Sequence, residues 1–155
     1  PYYTGQWAAS EGQSDFYSTL ACARKIWSKC QNKKRIPNVL PEVKKLCNEV
    51  WFMYNNRKLC HRTLMAAKSV SDLLGSLHGM EVDFSVKDEK IVDKTYEKHP
   101  NPQCRLDTYV AGALCKTRWN NNLIPKDENE ADLVSCQNDK YQFGKKPRCW
   151  YSSSK

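Results

Sequence analysis

The residues of this 155-residue chain with chemistry to offer are three histidines, eight cysteines, one carboxylate in apolar company and an excess of lysine and arginine. Cleavage of a phosphodiester by acid and base catalysis needs two imidazoles and a cation around one phosphate. His61, His78 and His99 carry no such pattern. His61 adjoins Cys60 and reads as a bundle histidine, His78 as a helix C-terminal residue favoured by the macrodipole, and His99 as a loop residue. Glu49, beside Val50 and Trp51, is the one acid whose neighbours suggest the desolvation that makes a general acid near neutral pH. A glycosidase pairs such an acid with a second carboxylate about 5 to 10 Å away, and Glu42, Asp72 and Asp107 are the candidates. Glu42 shares the helix face of Glu49 at about 10 Å, but Lys45 lies between them and favours the ionised forms. No GxSxG, P-loop or GxGxxG segment occurs. A hydrolase of glycans or polyanions is therefore the third choice of function, and the expectation is no turnover, no catalytic residue and no cofactor.

The cysteines are Cys22, Cys30, Cys47, Cys60, Cys104, Cys115, Cys136 and Cys149, separated by 7, 16, 12, 43, 10, 20 and 12 residues. Without a CxxC or HxxxH pair they lack the close ligand spacing of zinc sites, so they read as disulfides and no metal is expected. Disulfides persist in oxidising compartments, and a chain that begins at Pro1 without a charged-then-apolar leader reads as mature after removal of a signal peptide. The expected location is extracellular, with a bacterial periplasm as the alternative. The longest gap divides the cysteines into two sets of four. Cys22 and Cys30 are eight residues apart on one expected helix, about 12 Å along its axis, which is too far to bond. The same objection separates Cys104 from Cys115. Antiparallel packing then favours Cys22 with Cys60 and Cys30 with Cys47, and leaves Cys104 to pair with either Cys136 or Cys149.

The net charge is +8. Residues 1–79 hold twelve Lys and Arg against five acids, residues 80–103 are net acidic, and residues 104–155 are mildly basic. Arg24, Lys25, Lys29, Lys33, Lys34 and Arg35 lie on or just after one expected helix, with Lys44, Lys45, Arg57, Lys58 and Arg62 as an extension and Lys145, Lys146 and Arg148 near the chain's end. Such a field attracts polyanions by release of their counterions. Trp27 and Trp51 sit on helical stripes and are expected in the core, whereas Tyr2, Tyr3, Trp7, Trp150 and Tyr151 lie off any stripe and are candidates for an aromatic binding surface.

The elements that must position these groups follow from apolar period. Residues 1–13 form an arm. Phe16, Leu20, Ala23, Trp27 and Cys30 make a first helix begun by Ser14 or Ser10; Val43, Leu46, Cys47, Val50, Trp51 and Tyr54 make a second, opened by Pro41 and ended at Asn55 and Asn56. Leu59 to Leu77 make a third, stopped at Gly79. The alternation Met80, Val82, Phe84, Val86 predicts a strand in a connector or small hairpin over 80–103, paired with Ile91 to Tyr96. Leu106 to Leu114 belong to a fourth helix ending near Trp119, a short acidic helix follows within Pro125 to Cys136, and a Cys-anchored tail closes the chain. The expected fold is a single, mainly α domain over 1–155: a disulfide-stabilised helical bundle of about four helices, three of them within 14–79, with one small β-hairpin allowed. No apolar stretch is long enough to span a membrane.

The eight cysteines together with Trp7, Trp27, Trp51, Trp119 and Trp150 give a composition that resembles the cysteine- and tryptophan-rich small secreted salivary proteins of blood-feeding mosquitoes. That resemblance implies a salivary protein delivered into host tissue and acting by binding rather than catalysis. The leading expectation from the residues is likewise a non-enzymatic heparin-binding type of protein, whose partner is an anionic glycan or an acidic protein surface and not, biologically, a nucleic acid. The alternative is a carrier whose helices enclose a small apolar ligand near Phe16, Trp51, Leu64 and Ala67.

Overall fold

The computed structural model describes residues 9–27, 36, 38–118, 125 and 127–152, with the side chain of Glu128 left aside. The chain enters its first helix at Ser10, whose hydroxyl accepts the Gln13 amide at 3.3 Å. Helix α1 (Glu11–Tyr17) runs through a π turn (Ser18–Cys22) into α2 (Ala23–Trp27). The Ser18 and Thr19 hydroxyls bond back to the carbonyls of Asp15 and Phe16, at 2.7 and 3.2 Å, and the Ala23 amide reaches the Ser18 carbonyl five residues before it. Such back-bonding bends helices and accompanies slipped ladders.

Pro41 occupies the first turn of α3 (Pro41–Val50), as expected from its fixed φ. Helix α4 (Tyr54–Leu77) begins at Tyr54, so Asn55 and Asn56 lie inside it, and the break falls instead at Trp51, Phe52 and Met53. Gly79, at φ 64°, ends the region in the left-handed conformation that glycine tolerates. Helix α5 (Pro102–Leu114) is capped by Asn101, whose side chain accepts the Cys104 amide, and α6 (Glu128–Leu133) is capped by Asp127.

The molecule is mainly helical and disulfide-stabilised, with α5 between two apolar clusters. Phe16, Tyr17, Leu20, Trp150 and Tyr151 pack with Cys104 and Ala111 in one. Val43, Val50, Leu64, Val82 and Phe84 pack with Leu106, Val110 and Leu114 in the other. At Gly112, α5 meets the Phe16 carbonyl, the Thr19 hydroxyl and the Leu20 amide so closely that any Cβ would collide with them. The bridges are Cys47 to Cys60, Cys104 to Cys149 and Cys115 to Cys136. Cys22 is exposed and has no partner among the described residues, and Cys30 lies outside them. The expected pairings of Cys22 with Cys60 and Cys30 with Cys47 are thereby overturned. The earlier start of α4 places Cys60 in its second turn, level with Cys47 in the last turn of α3.

The expected hairpin is absent: among the described residues of 80–103 there is no strand. The alternation is real, since Val82 and Phe84 are buried while Met80 and Val86 are exposed, but the backbone's partners are side chains of α5. Gln103 accepts the Asp83 amide at 2.9 Å and donates to the carbonyls of Asp83 and Val86. The buried Asp107 carboxylate accepts the Asp88 amide at 2.8 Å and the Lys87 ammonium at 3.1 Å. Further on, the Val92 and Tyr96 amides donate to the carbonyls of Arg148 and Trp150, so this strap also holds the tail.

Candidate anion-binding site

Several cations expected on the surface turn inward. Arg24 reaches the C-terminal end of α5, donating to the carbonyls of Gly112, Ala113, Cys115 and Thr117, while the Trp51 ring lies 5.0 Å from its guanidinium carbon. Those carbonyls are the orphan acceptors of a helix end, and the macrodipole favours a cation there. Burial lowers the Arg24 pKa to about 10. Lys146 is 3% exposed, with its ammonium 2.7 Å from Asp132, which also accepts the Tyr151 hydroxyl; the same ammonium lies 4.5 Å from the Tyr151 ring centre. Trp150 is fully buried and Tyr151 nearly so. The Trp150 ring rests on Gly12, where a Cβ would strike it. Arg24 and Lys146 thus serve the fold rather than a free patch, and Trp150 and Tyr151 are core rather than an aromatic surface.

Of the other expected cations, Lys25 and Arg148 are exposed, and Lys145 is exposed but ion-paired with Asp139 at 3.1 Å. Lys29, Lys33, Lys34, Arg35, Tyr2, Tyr3, Trp7 and Trp119 lie outside the described residues.

The described cations that do come together lie on the α3–α4 helical hairpin, Arg57 and Lys58 near its turn and Lys44 farther back along α3. The Cys47 to Cys60 bridge clamps the two helices, and the turn between them is only Trp51, Phe52 and Met53. Met53 offers no side-chain cap to α4, and the first turn of this 24-residue helix holds no acid. Arg57 and Lys58 follow at once, the reverse of the charge order that a helix N-terminus prefers. Lys44 joins them from α3: the charges of Lys58, Arg57 and Lys44, after burial, lower the His61 pKa. His61 is 7% exposed with both ring nitrogens unpartnered. No carboxylate pairs with Lys44, Arg57, Lys58 or Lys116 among the described residues. Rings line the turn, with Lys58 5.4 Å from the Tyr54 ring and Lys116 5.1 Å from the Phe52 ring, and farther along α4 Arg62 lies 4.6 Å from the Trp27 ring. Sequence reading named Arg57, Lys58 and Lys44 as an extension of the patch; Lys116 and Phe52 gave no signal, because the fold alone joins residue 116 to this turn.

At the α1–α5 crossing the charges are paired. Arg105 binds the buried Asp15 through two nitrogens, at 2.8 and 3.0 Å, and Glu11 at 2.8 Å, and the Tyr109 hydroxyl donates to Asp15 at 2.8 Å. His99 pairs with Glu11. Burial raises the Asp15 pKa against the opposing pull of Arg105 and Tyr109, and it lifts Tyr109 to about 12. At Arg105 burial opposes the charged form, but Asp15 and Tyr109 more than offset it and hold the guanidinium above its usual range. The two partners thus point opposite ways: the pair attracts, and desolvation of the carboxylate is the larger influence at Asp15. This is a structural network with no open face beyond His99. Glu49 is exposed and lacks the apolar enclosure of a general acid. Asp88 lies with Cys104 and Cys149, whose sulfurs are joined in a disulfide and offer no thiolate to a metal. Phe16 and Leu64 belong to separate apolar clusters. No described helix is long and apolar enough to cross a membrane. No protein-family description, curated protein or solved structure matches this chain.

Proposed function

We propose that this is an extracellular, non-enzymatic binding protein that engages an anionic partner, one bearing sulfate, phosphate or clustered carboxylates, through the basic end of the α3–α4 hairpin. The observation that carries the reading is the gathering of Lys44, Arg57 and Lys58 about His61 without a carboxylate partner, at a helix start whose amides no side chain caps. Like charges held together weaken the fold, and unlike the buried Asp15, Asp107 and Lys146, each of which has an ionic partner, these cations have no carboxylate partner among the described residues. The expected segment Lys33, Lys34 and Arg35 lies outside the described residues and is tested beside the hairpin cations. Heparin is the probe. Retention should weaken steeply with salt and fall when Arg57→Ala and Lys58→Ala are combined, and fall also in the Lys33→Ala, Lys34→Ala, Arg35→Ala variant, whereas Lys145→Ala, whose ammonium is already paired, should change little. Elution near physiological salt, unaltered by either set, would sink the proposal.

A further inference from the structure

The turn between α3 and α4 carries a feature that anion binding alone does not require. Phe52, Met53 and Tyr54 are consecutive and exposed, at 81%, 69% and 54%. Isolated exposed apolar residues are ordinary on protein surfaces; three in succession, with ammonium groups laid against two of the rings, are a composition suited to a boundary between water and hydrocarbon. The turn cannot fold these side chains inward, because Trp51 already fills the inner position against Arg24 and the disulfide fixes the helix ends on either side.

We propose that Phe52 and Met53 form a wedge that enters the interfacial region of an anionic lipid bilayer, with Tyr54 at headgroup level and Arg57, Lys58 and Lys116 against the lipid phosphates. The inference shares its cations with the anion-binding reading and adds the apolar component. A sulfated glycan would occupy the cations and leave Phe52 and Met53 in water, as would a flat acidic protein surface. A bilayer alone of the three offers anionic groups and hydrocarbon a few ångströms apart, the pairing that amphipathic surface anchors use.

The test is cosedimentation of the whole, disulfide-intact protein with vesicles of phosphatidylcholine alone and of phosphatidylcholine with about 30% phosphatidylserine, beside heparin chromatography of the same samples. Binding is expected to the anionic vesicles only. Phe52→Ala with Met53→Ala should cut the partition about tenfold or more while leaving heparin retention unchanged, because both side chains are exposed and alanine neither caps α4 nor removes a packed group. Arg57→Ala with Lys58→Ala should reduce both readouts. Vesicle binding that survives the Phe52 and Met53 changes overturns the wedge, as does heparin retention by a native protein that ignores vesicles; the second result leaves the anion-binding reading standing. Failure on both heparin and vesicles overturns both.

Discussion

The α1–α5 crossing and the α3–α4 turn treat charge in opposite ways. At the crossing, Asp15, Glu11, Arg105, Tyr109 and His99 satisfy one another, and Asp15 is nearly sealed from water. At the turn, Arg57 and Lys58 have no carboxylate partner among the described residues, they act with Lys44 of α3 on His61, and the Phe52 and Tyr54 rings beside them face solvent. The difference teaches that a basic count is a poor guide to a basic site. The cations that hold this fold together, Arg24, Arg105 and Lys146, are those whose donors are matched to acceptors, and the ones available to a partner are those left unmatched.

The sharpest way to break this contrast is Arg105→Met, which strands the Asp15 carboxylate in the interior; breaking a buried pair this way costs about 3 to 5 kcal/mol. Chemical denaturation should show that loss, and Arg105→Met with Asp15→Asn should recover part of it. Equal stability of the single variant and the native protein would mean that the crossing is no more dependent on its charges than the turn is.

Arg24→Ala should come next, at about 2 to 3 kcal/mol, because it leaves the α5 carbonyls without donors and the Trp51 face without its guanidinium. Arg24→Lys should restore only a fraction, since an ammonium cannot reproduce the planar fork. Its heparin retention, corrected for folding, should match the native protein. A specific loss of retention would return Arg24 to the binding surface.

At the turn the sign reverses. Met53→Asp supplies the missing cap and an acid beside Arg57 and Lys58, and should stabilise the protein by about 1 kcal/mol while weakening retention on heparin. A destabilised Met53→Asp protein would show that the turn is built for stability after all.

The smallest effect is the pH dependence of His61. Its pKa lies below the ordinary 6.5, so between those two values the unfolded chain holds a proton that the native state lacks. The stability contributed by neutral His61 is complete above about pH 6.5 and is lost as the pH falls through the lowered value. Melting temperatures measured across this range should decline with acid, and His61→Gln should flatten that part of the decline. Identical profiles would remove His61 from the account.

Helix ends with a local chemical signature were legible in sequence: Pro41 marks α3 and Gly79 the stop after α4, whereas α1 begins at Glu11, inside the expected arm over 1–13, with Ser10 rather than Ser14 as its cap. The start of α4 was not legible, because Asn55 and Asn56 look like a terminus and are tolerated inside a helix held by a disulfide and by Leu64 in the core. That one displacement misassigned the partner of Cys60. The strap over 80–98 was half legible: the burial alternation could be read, but its hydrogen-bond partners are Gln103 and Asp107, some twenty residues away, rather than a second strand. Lys44, Arg57 and Lys58 were legible as cations that extend a helix patch, but not as three charges acting on one buried His61. Arg24 was misplaced because an arginine on a helix face looks the same in sequence whether it meets water or the end of another helix.

The bridges that anchor α5 bear on how the chain can be assembled. Cys115 to Cys136 lies wholly inside the loop closed by Cys104 to Cys149, with sequence separations of 21 and 45. Nested bonds do not thread one another, so either can form without trapping the other in a wrong topology. Closing the inner bond removes nearly half of the outer loop's contour, so the remaining closure costs less entropy. Of these two bonds, oxidation from the inside outward is thus the statistically easier route, and the second to close is the one that fastens the tail, with Trp150 beside it, onto α5.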